Sequence, residues 1–578
     1  METRSRLHWT RSEAASGGGM VSAKTPEAAE IGVAVLRSGG NAVDAAVAVS
    51  FASGVAEPWM SGIGGGGYMV ITGPGVKPTV VAFPMVAPLG ADERMFPLSG
   101  AAADAALFGW PAVVDNANIH GPRSVAVPGT VAGMALASER FGTRPFGEMV
   151  MPAADLASRG APVRWQTTLK MASDLAGLRR YPETARVYLD PSGMPWVTLD
   201  QARPAVVRQP DLARTLTMIA EQGPRVLYEG DIAAKTVAHL HEGGAPHTME
   251  DFTRYRAEIT DPLSLDYHGR SVHTIGGATG GTTLVQSLLL MDALGVAGLG
   301  HNSAEALHRM AQAFRQAFAD RFAWLADSEF VDVPLGVLTE KGYAAEVARL
   351  LPAERLTQPM PGAAARMGVS HGLGGSVPEY GPNSVEQMAD GSTTHYSVID
   401  KNGLAVSVTQ TLLSLWGSRV TIPGTGMLMN NGMMWFDPEP GRPNSVAGGK
   451  RPLSNMAPLV ITSPDTGEVV AAIGSTGGRK IMNCNTQLVA NVIDHQMGIG
   501  AAFDSPRIDC STADLLISDR LPAGTISALR TMGHRTAPRE ETLLTGDFAS
   551  PCAVMRTRGG GTTGAADTYY AMATAIGE

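Results

Sequence analysis

Apolar and polar positions recur at two different periods along the chain, and the change-over divides it. From Thr25 the spacing is helical. Pro26-Glu27 opens a helix, Ile31, Ala34 and Val35 supply its apolar face, and Gly39-Gly40 ends it. Asn41, with Asp44 three residues on, reads as the N-cap of a second helix from Ala45 to Val55. Its Ala, Ser and Gly on all sides predict burial against close neighbours. The run Gly62-Ile-Gly-Gly-Gly-Gly67 follows, and then an apolar strand over 68–71. The run spells G-x-G-x-x-G, but with a helix before it and a strand after it, the reverse of a dinucleotide fingerprint. A tight turn is expected there. Residues 125–160 and 205–245 alternate helical periodicity with Gly/Pro breaks, and 301–327 form a long helix. Over 361–392 all periodicity is lost to Gly, Pro, Ser and Asn, the composition of a linker. Beyond it the period is two: Thr394 to Asp400, a turn at Lys401-Asn402-Gly403, then Leu404 to Thr411. A second hairpin turns at Pro464-Asp465-Thr466-Gly467. The expectation is a helix-rich amino two-thirds and a strand-rich carboxyl third.

Composition narrows the class. The chain has 578 residues, 44% apolar and only 17% charged, with 68 glycines and 38 prolines. Disordered and coiled-coil chains need more charge, and the glycines keep no Gly-X-Y period, so a large globular protein is expected. Length alone suggests about four domains. The net charge of −9 and the lack of a long basic run disfavour nucleic acid. Three cysteines make neither a disulfide framework nor a zinc signature. No apolar stretch of about 18 residues predicts a membrane span, and residues 1–20, read as a loose tail, carry no secretory h-region, so a cytoplasmic protein is expected.

Chemistry centres on Gly391-Ser392-Thr393-Thr394-His395, where the linker meets a strand. Thr393 suits an ordinary strand. It also suits an N-to-O shift, in which its hydroxyl attacks the preceding carbonyl and water then frees a new amino terminus. The α-amine so exposed, with an ordinary pKa of about 7.7–8.0, would serve as base to the hydroxyl of the same residue. No G-x-S-x-G elbow and no H-E-x-x-H spacing offers a rival centre.

The motifs resemble the γ-glutamyltransferase family of N-terminal-nucleophile hydrolases from about Gly19 to about Asp509. They are Gly39-Gly-Asn-Ala-Val-Asp-Ala-Ala46, Gly64-Gly-Gly-Gly67, Val127-Pro-Gly-Thr-Val-Ala-Gly133, Phe318-Ala-Asp-Arg321, Thr393-Thr-His-Tyr-Ser-Val398, Arg451-Pro-Leu-Ser454 and Gly474-Ser-Thr-Gly-Gly478. The resemblance implies an α+β, four-layer α-β-β-α sandwich in place of four domains. It implies a precursor that cuts itself into a large subunit, 21–392, and a small one, 393–578, which stay intertwined. It implies no cofactor, a small-molecule amide substrate, and water or an amine as acceptor. Thr393 is carried over as nucleophile, Thr411 as its orienting partner, and Gly477 and Gly478 as the oxyanion hole, a task for which glycine lets the backbone approach closely.

Departures bear on the substrate. The family arginine that pairs a glutamyl α-carboxylate falls at Pro84, and the positions that hold the α-amine fall at Leu413, Gly432 and Trp435. The paired carboxylate serines become Ser454 and Asn455. An acyl group without an α-amine suits such a pocket, with Trp416, Met433, Met434 and Trp435 as apolar lining and Arg479 and Lys480 as partners for a carboxylate. Three readings follow: a γ-glutamyl hydrolase or transferase, a cephalosporin (glutaryl) acylase, and a non-catalytic binding protein of the same fold.

Overall fold

The computed structural model describes residues 9–101, 110–200, 202–360, 392–544 and 546–578. All but Ser392 of the linker expected over 361–392 lies outside the described residues. Two seven-stranded antiparallel sheets face one another, with helices on both outer faces. In the first sheet the order is Thr574–Gly577, Met20–Ala23, Ser392–Ile399, Ala405–Leu413, Gly66–Gly73, Val76–Phe83 and Glu258–Thr260. In the second it is Ala14–Ser16, Thr562–Ala566, Ser550–Arg556, Val469–Thr476, Leu459–Thr462, Arg270–Thr274 and Leu263–Tyr267. This is the four-layer sandwich that the motifs imply.

The helix over Ala42–Ala56 packs on the first sheet, and all fifteen of its residues are buried. Small side chains make that possible, because they let the helix approach both the sheet and its neighbours Pro26–Arg37 and Phe146–Arg159. Asn41 caps it, accepting from the amides of Val43 and Asp44, while Asp44 accepts from the Asn41 amide. The second sheet carries Gly280–Ala293 and Lys480–Ile493 on its outer face, with Ala304–Trp324 packed on Gly280–Ala293. Among the described residues no helix is long and apolar enough to cross a membrane.

Two expectations change. Seven of the fourteen strands in the two sheets precede residue 361, so the amino-terminal part is not poor in strand. Several are buried on both faces, as Gly66–Gly73 is throughout, and a strand so placed shows an apolar run without alternation. The tail read over 1–20 is tied down in its second half. Ala14–Ser16 pairs with Thr562–Ala566, and the Arg11 guanidinium donates to the carbonyls of Tyr570 (3.1 Å) and Ala571 (3.3 Å).

A polar seam sets one sheet against the other. The Ser407 hydroxyl donates to the Ile473 carbonyl at 2.9 Å and accepts from the Leu459 amide at 3.2 Å. The Ser22 hydroxyl donates to the Ala565 carbonyl at 2.7 Å. His395 lies between the hydroxyls of Thr409 (2.9 Å) and Ser397 (3.0 Å), its ring against Gly474. Burial and the nearby Lys24 ammonium hold its pKa well below the ordinary value, so the ring is neutral. With His395 over Gly474 and Ser407 over Ile473, the start of Ser392–Ile399 and the end of Val469–Thr476 meet at one end of the sandwich.

A Cβ at Gly474 would overlap the His395 ring. Gly474→Ala is expected to cost about 1–3 kcal/mol, as overpacking of a filled core does. Urea unfolding checks this, with Gly524→Ala, at a glycine facing open space, leaving the midpoint unchanged or raised.

Candidate active site

Thr393 sits at an irregularity in strand pairing. Ser392 pairs with Leu413 and Thr394 with Gln410, so Thr393 faces two residues, Thr411 and Leu412. A bulge of this kind re-aims side chains. The backbone pays at Leu413, whose φ of 89° lies in the region that side-chain-bearing residues avoid. In that conformation the Leu413 amide donates to Thr411 Oγ1 at 2.7 Å. The single Thr411 proton is then directed at the Ser392 carbonyl oxygen, 2.6 Å away. Thr393 Oγ1 also donates to that oxygen at 2.6 Å and lies 3.2 Å from Thr411 Oγ1. Two hydroxyls thus converge on one carbonyl, that of the bond between Ser392 and Thr393. Ser392, Thr393 and Thr411 are all buried, so bulk water takes no part in orienting them.

The surroundings hold Ser392 as well. Its hydroxyl donates to the Trp59 carbonyl and lies 3.3 Å from Met60 Sδ. Below, Trp416 stacks obliquely between Trp59 (5.9 Å) and Tyr188 (5.0 Å), so its part is in this aromatic floor. Gly477 and Gly478 lie between the strand ending at Thr476 and the helix beginning at Lys480. Their φ values of 133° and 62° are glycine conformations, which lets the turn present its backbone at the same end of the sandwich as Thr393.

Leu413, Met433, Met434 and Trp435 belong to one buried apolar cluster with Met85, Phe96 and Trp110. Gly432 heads the single helical turn Gly432–Trp435, and a side chain there has no room. A Cβ would come within 2.8 Å of Ala126 Cβ and 3.1 Å of Met85 Cβ. Ser454 and Asn455 are neighbours in sequence but differ in surroundings. The Ser454 amide donates to the Ala278 carbonyl at 2.9 Å, and its hydroxyl accepts from the Met456 amide. Asn455 Oδ1 accepts from the buried Arg321 guanidinium at 3.0 Å, which also holds the Ser454 and Thr279 carbonyls. Arg321 of the Phe318-Ala-Asp-Arg321 motif is therefore a clamp on this segment. The Pro84 carbonyl accepts from the Tyr255 hydroxyl at 2.6 Å and lines a cleft of about 690 Å3 that Tyr68, Ile275 and Arg451 share. Lys480 is buried, and its ammonium donates to the Gly546 carbonyl, while Arg479 stands at the cap of the same helix.

Sequence reasoning did not single out Glu57. This fully buried carboxylate ends the Ala42–Ala56 helix, accepts from the Thr394 hydroxyl and lies 3.3 Å from the Tyr570 hydroxyl. Lys24, equally buried, donates to Ser550 and sits over the Tyr570 ring. The available signal was an isolated acid closing a helix otherwise charged only at Asp44. Burial pushes the Glu57 carboxyl up to about 7, against the opposing pull of the Thr394 hydroxyl, the Lys24 ammonium and the Tyr570 hydroxyl.

A family model described as gamma-glutamyltranspeptidase matches residues 28–575. Acylase ACY 1 proenzyme of Pseudomonas sp. (strain SE83) is 35% identical over 530 residues, covering 90% of this chain and 88% of that one. Glutathione hydrolase proenzyme of Escherichia coli (strain K12) is 32% identical over 545 residues, covering 90% and 86%. Among solved structures, cephalosporin acylase from Bacillus halodurans shares the fold, with a TM-score of 0.84 over 100% of this chain and 99% of that chain at 23% identity. Helicobacter pylori gamma-glutamyltranspeptidase gives 0.55 at 29% identity, over 65% of this chain and 100% of that chain.

Between its ordinary 4.5 and about 7, Glu57 in the folded chain holds a proton that the unfolded chain has released. Stability from this group is therefore present below that window and lost as pH rises through it. Glu57→Gln keeps an acceptor for Thr394 and does not ionise. Melting temperatures at pH 5 and pH 7.5 are expected to differ less in the variant than in wild type.

Proposed function

This chain belongs to the gamma-glutamyltranspeptidase family of N-terminal-nucleophile hydrolases, and we propose that it matures by cutting the Ser392–Thr393 bond and then works through Thr393. The observation that carries the reading is the convergence of the Thr393 and Thr411 hydroxyls on the Ser392 carbonyl. Thr393 Oγ1 attacks the Ser392 carbonyl carbon, and the Thr411 hydroxyl stabilises the oxyanion that forms. The C–N bond breaks, the hydroxyl proton passes to the departing nitrogen, and an ester joins Ser392 to Thr393 Oγ1. Water hydrolyses it, leaving a Ser392 carboxylate and a free Thr393 amine and hydroxyl.

In the cut protein the Thr393 amine takes the proton of its own hydroxyl as that oxygen attacks a substrate amide. The Gly477 and Gly478 amides receive the oxyanion, the substrate amine leaves, and water or an amine releases the acyl group. Two preorganised backbone donors can contribute about 10²–10³-fold each to such a step.

The acyl group we assign is one without an α-amine, such as glutaryl. An ammonium against Leu413 and Trp435 would be buried unpaired, at a cost of several kcal/mol. Gly432 has no room for a replacement partner, Pro84 brings no cation, and Asn455 Oδ1 is engaged by Arg321. The names of relatives include both a glutathione hydrolase and an acylase.

Wild type is expected to run as two fragments on a denaturing gel, the smaller one sequencing from Thr393. Thr393→Ala should give one uncut band, and an uncut wild-type chain would refute the whole scheme. The second prediction concerns Leu413. Asn tolerates positive φ better than Leu, but Leu413 is buried in an apolar cluster, so Leu413→Asn is expected to lower stability by about 1–3 kcal/mol net of the relieved strain. It should also raise kcat/KM for γ-glutamyl-p-nitroanilide relative to glutaryl-p-nitroanilide by about tenfold. A ratio unchanged in this assay contradicts the assignment of Leu413 to the acyl pocket.

A further inference from the structure

Resting on that reading of Thr393, we propose that the small cavity beside Gly477 seats the amine half of the substrate, and that Arg507 there reads a carboxylate carried by that half. The cavity, of about 80 Å3, has Met60, Thr476 and Gly477 on the side of the nucleophile and Arg507, Asp567 and Tyr570 beyond them. Space on this scale admits about half a dozen water-sized groups, enough for a small carboxylate-bearing fragment.

Arg507 is the reason for the assignment. Its side chain is 3% exposed, yet its donors are poorly used. Among the described residues Nη1 reaches only Cys484 Sγ, at 3.6 Å, and Nε has no partner. Nη2 is 3.6 Å from Glu541 Oε1, beyond hydrogen-bond distance. Glu541 is shared: Arg520 donates to its Oε2 through Nε (3.1 Å) and Nη2 (2.6 Å), and the Ser518 hydroxyl does so at 2.8 Å, while Oε1 faces Arg507. A guanidinium has five N–H donors, and a buried one normally meets oxygen with most of them. Among the described residues none lies within hydrogen-bond distance of an oxygen, Glu541 Oε1 being met only as an ion pair at 3.6 Å, and a planar carboxylate is the group that matches the fork. Lys170 and Lys480 also line the cavity, as do Asp547, Asp567 and Glu541, so opposite charges balance. Selection therefore comes from the directed donors of Arg507 and not from a net positive field.

The cavity and the apolar acyl positions approach Thr393 from different strands, although Met60 and Lys170 of the cavity wall also touch the segment 412–416. Ser392–Ile399 has Ala405–Leu413 on one flank and Met20–Ala23 on the other. Leu413 and Trp435 belong to the first flank; Tyr570 and Ser550, which line the Arg507 cavity, belong to the second, where Lys24 joins Met20–Ala23 to Ser550. A substrate spanning Thr393 would put its acyl group on one side and its amine half on the other.

The test compares two anilides with one acyl group, glutaryl-p-nitroanilide and glutaryl-3-carboxy-4-nitroanilide. Wild-type kcat/KM is expected to favour the carboxylated anilide about tenfold or more. In Arg507→Gln the ratio should collapse toward one, and in Arg507→Lys it should fall between. A general loss of structure lowers both rates and leaves the ratio standing, which would overturn the proposal, as would equal wild-type rates. If wild type cleaves neither anilide, the reading of Thr393 fails, and binding decides this inference separately. Calorimetric titration of the wild-type chain should then detect 5-amino-2-nitrobenzoate but not p-nitroaniline, with the signal lost in Arg507→Gln and kept in part in Arg507→Lys. Equal binding of both probes overturns it.

Discussion

Everything at the site depends on how one carbonyl oxygen is held. The Ser392 oxygen accepts from two threonine hydroxyls, and each is aimed by backbone. The bulge turns Thr393 toward it, and Leu413 at positive φ hands its amide to Thr411 so that the Thr411 proton has one remaining direction. Strain in one residue is thereby converted into orientation of another. The two facing sheets supply the rigidity, because a strained conformation persists only when the surrounding structure over-determines it.

That rigidity comes from an interior in which polar ties are set among apolar contacts where the sheets meet. Ser407 and Ser22 bond across the gap and the His395 ring packs on Gly474 there, so the start of one strand and the end of another must coincide. Sliding one sheet by a residue would orphan these buried groups, which is costlier than losing apolar contact. The small-residue helix over Ala42–Ala56 then brings Glu57 beneath Thr394, next to Thr393 but on the other face of the sheet.

Much of this was legible in the sequence where local backbone chemistry decides it. Asn41 and Asp44 announced a cap, Lys401-Asn402-Gly403 a hairpin, and Gly477-Gly478 a turn that only glycine makes. What stayed hidden depends on partners far along the chain. Glu57 meets Thr394 and Tyr570, and Arg507 meets Gly477 across a cavity; no spacing encodes either. Strands buried on both faces, such as Gly66–Gly73, gave no alternation to read. Gly432 looked like a missing polar contact, and the packing adds that no side chain fits there at all. Asn455 looked like half of a carboxylate site, whereas its oxygen serves Arg321.

Each sheet draws strands from both sides of the Ser392–Thr393 bond: Met20–Ala23 lies between Ser392–Ile399 and Thr574–Gly577, and Ala14–Ser16 edges Thr562–Ala566. The proposed cut would therefore change the order of the folding reaction. Before it, every strand finds its neighbour within one molecule; after it, refolding would require two chains to meet and interleave, and its yield would depend on their concentration. The cut protein would keep its shape because it was folded while still whole, and its lifetime would be set by how slowly it opens, not by how well it could reassemble.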